Sequence, residues 1–271
     1  MSIPKSAATR PGPGEPVPAD KKTRRQGEVL LLLERLGYAS VEQLSERFGI
    51  TTQTVRRDIA DLSALGKVRR YHGGVALSAA IDPTTYRQRR VERVEAKRRI
   101  AARVAELVPD GASVFLDTGT TCETVAEALT ARTDLKVVTY SLRAATLLSD
   151  RTDFTIAVPA GFVRNVDGSV FGEGTTDFIR RFRFDVAIIA VSGIEADGRM
   201  ADDDHNEVAI VRLAMTLARS IILAADSSKF DRAALVELGN VADVSDFVTD
   251  AEPRAELQGV LREAGVRLHI S

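Results

Sequence analysis

Two clusters of side chains in this sequence have types and spacings that can do chemistry. The first is Thr51, Thr52, Gln53, Thr54, Arg56 and Arg57, followed by Arg69, Arg70 and His72. Gln pairs bidentately with adenine, and Arg with guanine, in a major groove. Threonine hydroxyls and the N–H groups of a helix start donate to phosphates. Arg69, Arg70 and His72 suit phosphates or an adjacent minor groove. The second cluster is Asp117-Thr118-Gly119-Thr120-Thr121, a turn between two apolar segments. A turn from a strand end into a helix start offers backbone donors, a dipole and hydroxyls to an anion. Two readings of it stand side by side, an anion cradle and a routine strand-to-helix connection. Other apolar runs also end in polar or small residues: Thr139 and Ser141, Gly161 after Pro159-Ala160, and Lys229 in Asp226-Ser227-Ser228-Lys229. Lys229 can pair with a phosphate or sugar oxygen, and ligands of open α/β sheets bind at the carboxyl ends of strands. Glu207, in the first turn of an expected helix, can accept from ligand hydroxyls.

Other chemistries weigh less. The 117–121 turn is neither a Walker A loop nor a GxGxxG fingerprint, so ATP and dinucleotides are not implied. Asp202-Asp203-Asp204-His205 offers oxygen ligands that suit Mg²⁺ or Ca²⁺. No EF-hand spacing follows, and acidic residues before a helix favour its dipole in any case. Cys122, the single cysteine, excludes an intrachain disulfide and a Cys-rich metal site. It reads as a packing residue. No metal, cofactor or catalytic residue is expected.

Positioning the first cluster needs a helix-turn-helix. Residues 1–20, rich in Pro, Gly and Ala, read as a disordered leader. An amphipathic helix follows to about Leu36, closed by Gly37. Ser40 and Gln43 form an S-x-x-Q capping box for a helix with Val41, Leu44 and Phe48 on one face. Gly49 ends it, Ile50 turns inward, and Thr51 caps the next helix. There Val55, Ile59 and Leu62 share a core face. Gln53, Arg57 and Ala60 lie opposite, flanked by Thr54 and Arg56. The run 67–77 around Gly73-Gly74 reads as a β-hairpin, a wing. A solvated helix with ordinary arginines explains an isolated Arg-Arg pair; it does not explain this ordered series. The winged domain spans 21–77. Residues 78–95 read as a linker, overlapping a charged helix over about Gln88–Leu107. Domain 96–271 then alternates helices with short apolar strands near Ser113–Asp117, Leu135–Tyr140, Phe154–Pro159, Asp185–Ser192, Ser220–Ala225, Phe247–Thr249 and Val266–Ile270. That alternation implies an α/β fold with a parallel sheet covered on both faces.

The 271 residues carry a net charge of −1, but that balance hides an asymmetry. Residues 1–99 hold 20 Lys and Arg against 11 Asp and Glu, and the remainder 17 against 27. A basic first third suits a polyanion partner. Neither a signal peptide nor a membrane span is evident, so the expected location is cytoplasmic.

The run Thr51 to Gly74, T-T-Q-T-V-R-R-D-I-A-D-L … G-K-V-R-R-Y-H-G-G, resembles the DNA-binding signature of the DeoR family of bacterial regulators. The resemblance extends over roughly residues 24–252. It implies a winged helix-turn-helix, plus an α/β domain resembling the ribose-5-phosphate isomerase fold that binds phosphorylated sugars or polyols. Asp117–Thr121 matches the family's D-x-G-T-T pattern and Asp226–Phe230 its D-x-S-K-F element. Thr139-Tyr140-Ser141 departs where the family usually has Asn, and Pro159-Ala160-Gly161 where a Gly-Gly pair is usual. Gly172–Ile179, Phe182–Asp185 and Ser192–Ile194 are most similar to the branch that represses glycerol-3-phosphate regulons, which implies glycerol 3-phosphate as the leading effector. The resemblance further implies a repressor, double-stranded operator DNA as partner, and a homodimer or homotetramer. The competing reading is a sugar-phosphate isomerase with a DNA-binding arm, using Lys229 and Glu207 as acid and base.

Overall fold

The computed structural model describes residues 21–36, 38–65, 67–71, 74–77, 83–172 and 174–271. The expected leader 1–20, the Gly37 cap, Gly73 of the hairpin turn, His72 and the 78–82 part of the expected linker lie outside the described residues. The chain divides into two compact units, Met1–Ser78 and Ala79–Ser271.

In the first unit the order is α1 (Lys21–Leu36), β1 (Tyr38–Ser40), α2 (Val41–Phe48), α3 (Thr52–Ala64), β2 (Val68–Tyr71) and β3 (Gly74–Leu77). The capping box closes: Gln43 N donates to Ser40 Oγ at 3.0 Å and Ser40 N to Gln43 Oε1 at 2.8 Å. Gly49 takes φ 61°, a conformation that residues with a Cβ disfavour. Ser45 Oγ then donates to the Ile50 carbonyl at 2.5 Å, fixing the turn between α2 and α3. Val55, Ile59 and Leu62 are buried against Val29, Leu33, Val41 and Leu44. Each such side chain contributes roughly 1.5–3 kcal/mol. Strand β3 pairs antiparallel with both β1 and β2, and Val68 and Val75 close the core.

The second unit begins with α4 (Pro83–Val91), α5 (Val94–Leu107), β4 (Ser113–Leu116), α6 (Thr120–Leu129), β5 (Lys136–Thr139), α7 (Leu142–Arg151) and β6 (Thr155–Ala157). A hairpin of β7 (Phe162–Val163) and β8 (Val170–Phe171) leads to α8 (Thr175–Arg180), β9 (Phe184–Ile189), β10 (Gly193–Ile194), β11 (Arg199–Asp202) and α9 (His205–Leu217). It ends with β12 (Ala218–Ala224), β13 (Val236–Asn240), β14 (Asp246–Thr249), α10 (Ala255–Ala264) and β15 (Arg267–Ile270). Among the described residues, a seven-stranded sheet runs β15-β14-β12-β9-β4-β5-β6. Its pairings are parallel. These are the strands expected from the apolar runs.

Successive strand residues serve opposite faces of the sheet. Val114, Leu116, Val186, Ile188 and Ile222 pack with Ile100 and Val104 of α5, Val125 of α6 and Leu148 of α7. Phe115, Ala187, Ile189 and Leu223 pack with Ile179 of α8, Val208 and Val211 of α9, and Leu257 of α10. A parallel sheet must be buried in this way on both faces. From β4 the chain moves outward to β5 and β6, then returns to β9 on the other side of β4. Between β4 and β9 the connections depart in opposite directions, and a crevice opens at the carboxyl ends of the strands.

The expected 78–95 linker and the single helix over Gln88–Leu107 need correction. Residues 83–91 form α4, with Tyr86 only 2% exposed, and the helical run breaks at Glu92–Arg93. Arg93 takes φ 51°, which costs an L-residue roughly 1–2 kcal/mol. Tertiary bonds offset that cost. Its guanidinium pairs with Asp226 at 3.1 Å and with Asp250, and donates to Ser227 Oγ at 2.7 Å. Lys97 Nζ donates to the carbonyls of Arg89 and Glu92 at the end of α4.

Candidate functional site

The first candidate surface is the start of α3. Thr51 is its N-cap, and its Oγ1 accepts from Thr54 N at 3.2 Å. Gln53, Arg56 and Arg57 are exposed, while Thr52 and Thr54 are half-buried. Asp58, between these arginines and the core, is 3% exposed. It accepts from Arg25 of α1 at 2.5 and 3.1 Å. That buried pair sets the rotation of α3, so its apolar face turns inward and Gln53 and Arg57 turn to solvent. Sequence patterning gave Asp58 no role of its own. In the wing, Arg70 is exposed on β2 and Arg69 lies beside it on the same strand.

The second candidate site is the crevice at the β4–β9 switch point, with a cavity of about 240 Å³. Asp117, Thr118, Gly119, Thr120 and Thr121 line it, as do Glu207 and Lys229. Gly119 takes φ 98° and leads into α6, whose first turn carries no side-chain cap. Its N–H groups and the positive end of its dipole are thus available to an anion. Burial pushes the Lys229 ammonium below its ordinary range, with Asp226 acting in the opposite sense. An anion brought beside it would offset that burial cost.

The lining is also acidic. Asp117 accepts from Thr118 N at 2.7 Å, from Ala190 N at 3.1 Å and from the Tyr140 hydroxyl. Burial pushes its carboxyl up to about 7 despite those donors. Asp202 accepts from Ser192 Oγ at 3.0 Å and from Asp203 N at 2.6 Å. Burial raises it to about 6, and the neighbouring Asp203 and Asp204 charges add to the rise. Arg164 pairs with Asp167, Asp204 and Glu207. Burial opposes its charge, but those carboxylates hold it cationic. One guanidinium cannot neutralise them all. Against the cost of burial it holds Asp167 below the usual carboxylate range, whereas burial drives Glu207 well above it.

Three expected site residues do not reach the cavity. Thr139 is buried and its Oγ1 accepts from Ser141 N at 3.0 Å. Ser141 caps α7 by accepting from Ala144 N at 3.3 Å. Gly161 lies against β8, where a Cβ would meet the Phe171 carbonyl oxygen at 2.4 Å. All three have local structural roles, and Tyr140 between the first two acts on the site through Asp117, to which its hydroxyl donates. Conversely, Arg89 of α4, Arg93 between the two helices and Lys97 of α5 line the cavity. Asp202 also lines it, although the sequence weighed that acidic run only as a metal site or a dipole partner.

A winged helix-turn-helix in one chain with an anion-receptive α/β unit defines a ligand-sensing, DNA-binding transcription regulator. Residues 25–80 match the DeoR-like helix-turn-helix domain, and residues 92–251 the DeoR C terminal sensor domain. The chain is 38% identical to the glycerol-3-phosphate regulon repressor of Escherichia coli (strain K12), over 92% of this chain and 99% of that protein. It is 37% identical to the HTH-type transcriptional repressor CsqR of the same organism, over 90% and 94%. The chain belongs to the DeoR family. Among solved structures, ribose 5 phosphate isomerase A from Neisseria gonorrhoeae aligns over 49% of this chain and 52% of that one, at 18% identity and TM-score 0.35. That superposition is too loose to carry an argument. Among the described residues no helix is long and apolar enough to cross a membrane.

Proposed function

We propose that this chain is a cytoplasmic repressor that holds double-stranded operator DNA and releases it when a small phosphorylated sugar or polyol, glycerol 3-phosphate foremost, fills the crevice. The DNA-holding residues are Thr51, Thr52, Gln53, Thr54, Arg56, Arg57, Arg69, Arg70 and His72. The effector-holding residues are Asp117, Thr118, Gly119, Thr120, Thr121, Glu207 and Lys229. Residues 21–77 form the DNA-binding domain, and the effector domain begins at α4.

The observation that carries this reading is the polarity of the crevice. An uncapped helix start with the cations Lys97 and Lys229, and the acceptor carboxylates of Asp117 and Asp202, line the same cavity. A molecule with a phosphate at one end and hydroxyls at the other satisfies both. The volume of about 240 Å³ lies below the roughly 300–1,000 Å³ of drug-sized sites and suits a molecule smaller than a nucleotide. The names of the similar repressors favour glycerol 3-phosphate within that class. One recognition helix makes too small a specific interface, so a homodimer or homotetramer meets paired half-sites. Effector binding shifts the assembly away from its DNA-competent form by linkage.

The domain binds its ligand without turning it over. Glu207, the base an isomerase would need, is instead engaged by Arg164. Mobility shifts on the native promoter should weaken as glycerol 3-phosphate is added. An unaltered shift with every phosphorylated sugar and polyol tried would refute the effector assignment.

A further inference from the structure

Arg89 differs from its neighbours Arg93 and Lys97 in the crevice. Arg93 is held by Asp226 and Asp250, and Lys97 by two backbone carbonyls. The Nε of Arg89 is buried and has no hydrogen-bond partner among the described residues. A buried donor with no acceptor carries its full desolvation cost. Arg89 lines the same cavity as the start of α6 and Lys229, so an anion held there can meet its guanidinium. The planar fork of a guanidinium suits a phosphate.

Arg89 also comes from a different part of the chain. It belongs to α4, the first helix described after the winged unit, whereas the start of α6 and Lys229 follow β4 and β12. Helix α4 is seated on α6 through Tyr86, whose hydroxyl donates to Glu123 and whose ring centroid lies 5.4 Å from the Arg143 guanidinium carbon. Its last turn is bonded to Lys97. An oxyanion held jointly by Arg89, the start of α6 and Lys229 would add one more tie between α4 and the rest of the unit. We propose that Arg89 is an anion ligand and that, through it, effector occupancy fastens the end of α4 against the sheet. This rests on the phosphorylated-effector reading above. It adds a direct path from the ligand to the helix by which the chain enters the sensing unit.

The test compares the full-length wild type with Arg89→Gln and Arg89→Lys. Each is titrated calorimetrically with glycerol 3-phosphate and with inorganic phosphate, using glycerol as control. Amide hydrogen exchange is followed over residues 87–92 and over α6. In the wild type both phosphates bind, glycerol does not, and exchange at 87–92 slows by roughly threefold or more. Arg89→Gln binds about tenfold more weakly, as expected for one lost charge-assisted hydrogen bond. It loses the slowing at 87–92 while α6 still responds, and Arg89→Lys falls between the two. Wild-type affinity in Arg89→Gln, or equal slowing at 87–92 in both, overturns the role of Arg89 and leaves the effector site standing. A wild type that binds neither phosphate overturns both.

Discussion

Replacing Asp202 by Asn should stabilise the protein, more so at high pH, while weakening its hold on effector. Burial raises the Asp202 carboxyl from 3.8 to about 6. The folded chain therefore binds a proton there more tightly than the unfolded chain does. That contribution to stability is fully present below pH 3.8 and is lost as pH rises through about 6. The loss at pH 8 is on the order of 3 kcal/mol for a rise of that size, and at pH 5 about half of it. Solvent at the edge of the side chain makes these figures upper bounds. Asn preserves the acceptor for Ser192 Oγ and Asp203 N and has no charge to bury. Its advantage over Asp should grow by about 1.4 kcal/mol between pH 5 and pH 8. His205, held below its ordinary value by burial, titrates in the opposite sense and is present in both proteins. Urea unfolding of full-length protein, followed by far-ultraviolet circular dichroism at both pH values, measures the difference. Calorimetry with glycerol 3-phosphate should show about tenfold weaker binding to Asp202→Asn, because an amide presents donors where the hydroxyls need an acceptor. A gain independent of pH, or a loss of stability at pH 8, would refute the reasoning.

Arg57→Ala should reduce operator affinity by about 1–3 kcal/mol without lowering the melting temperature, because Arg57 is exposed on α3; fluorescence anisotropy with labelled operator measures it. Arg25→Ala should destabilise the winged unit by about 3 kcal/mol or more, because it strands the buried Asp58 carboxylate. Asp58→Ala should cost less, since the Arg25 side chain, already 22% exposed, can reach water; chemical denaturation ranks the two. Lys229→Met should abolish phosphate binding yet leave the ligand-free melting temperature unchanged or raised. Burial depresses the Lys229 amine, so its contribution is favourable only above the ordinary lysine value, and at neutral pH the buried charge is a cost. A thermal-shift titration reports both effects.

Much of the architecture could be read without coordinates, because its causes are local. Ser40 with Gln43, Gly49 and Thr51 are capping and turn residues whose chemistry acts over a few positions. The 3.6-residue period of Val55, Ile59 and Leu62 assigned the inner face of α3, and thereby the outward Gln53 and Arg57. The apolar runs marked each strand of the seven-stranded sheet, since a strand buried on both faces leaves an uninterrupted apolar signature.

What escaped the sequence depends on groups far apart in the chain. Between Val91 and Val94 there is neither Gly nor Pro, so nothing local announces the break between α4 and α5. Arg93 is held in its left-handed conformation by Asp226 and Asp250, more than a hundred positions away. Strand order likewise comes only from the assembled sheet. The β4–β9 switch point selected Asp117 and Asp202 for the crevice and left Thr139 and Ser141 to cap and brace α7. Sequence alone determined the recognition helix with its caps and the strands of the parallel sheet, because those answer to neighbouring residues. Only the tertiary structure decided which charges share one small cavity, because burial and electrostatic pairing depend on distance in space.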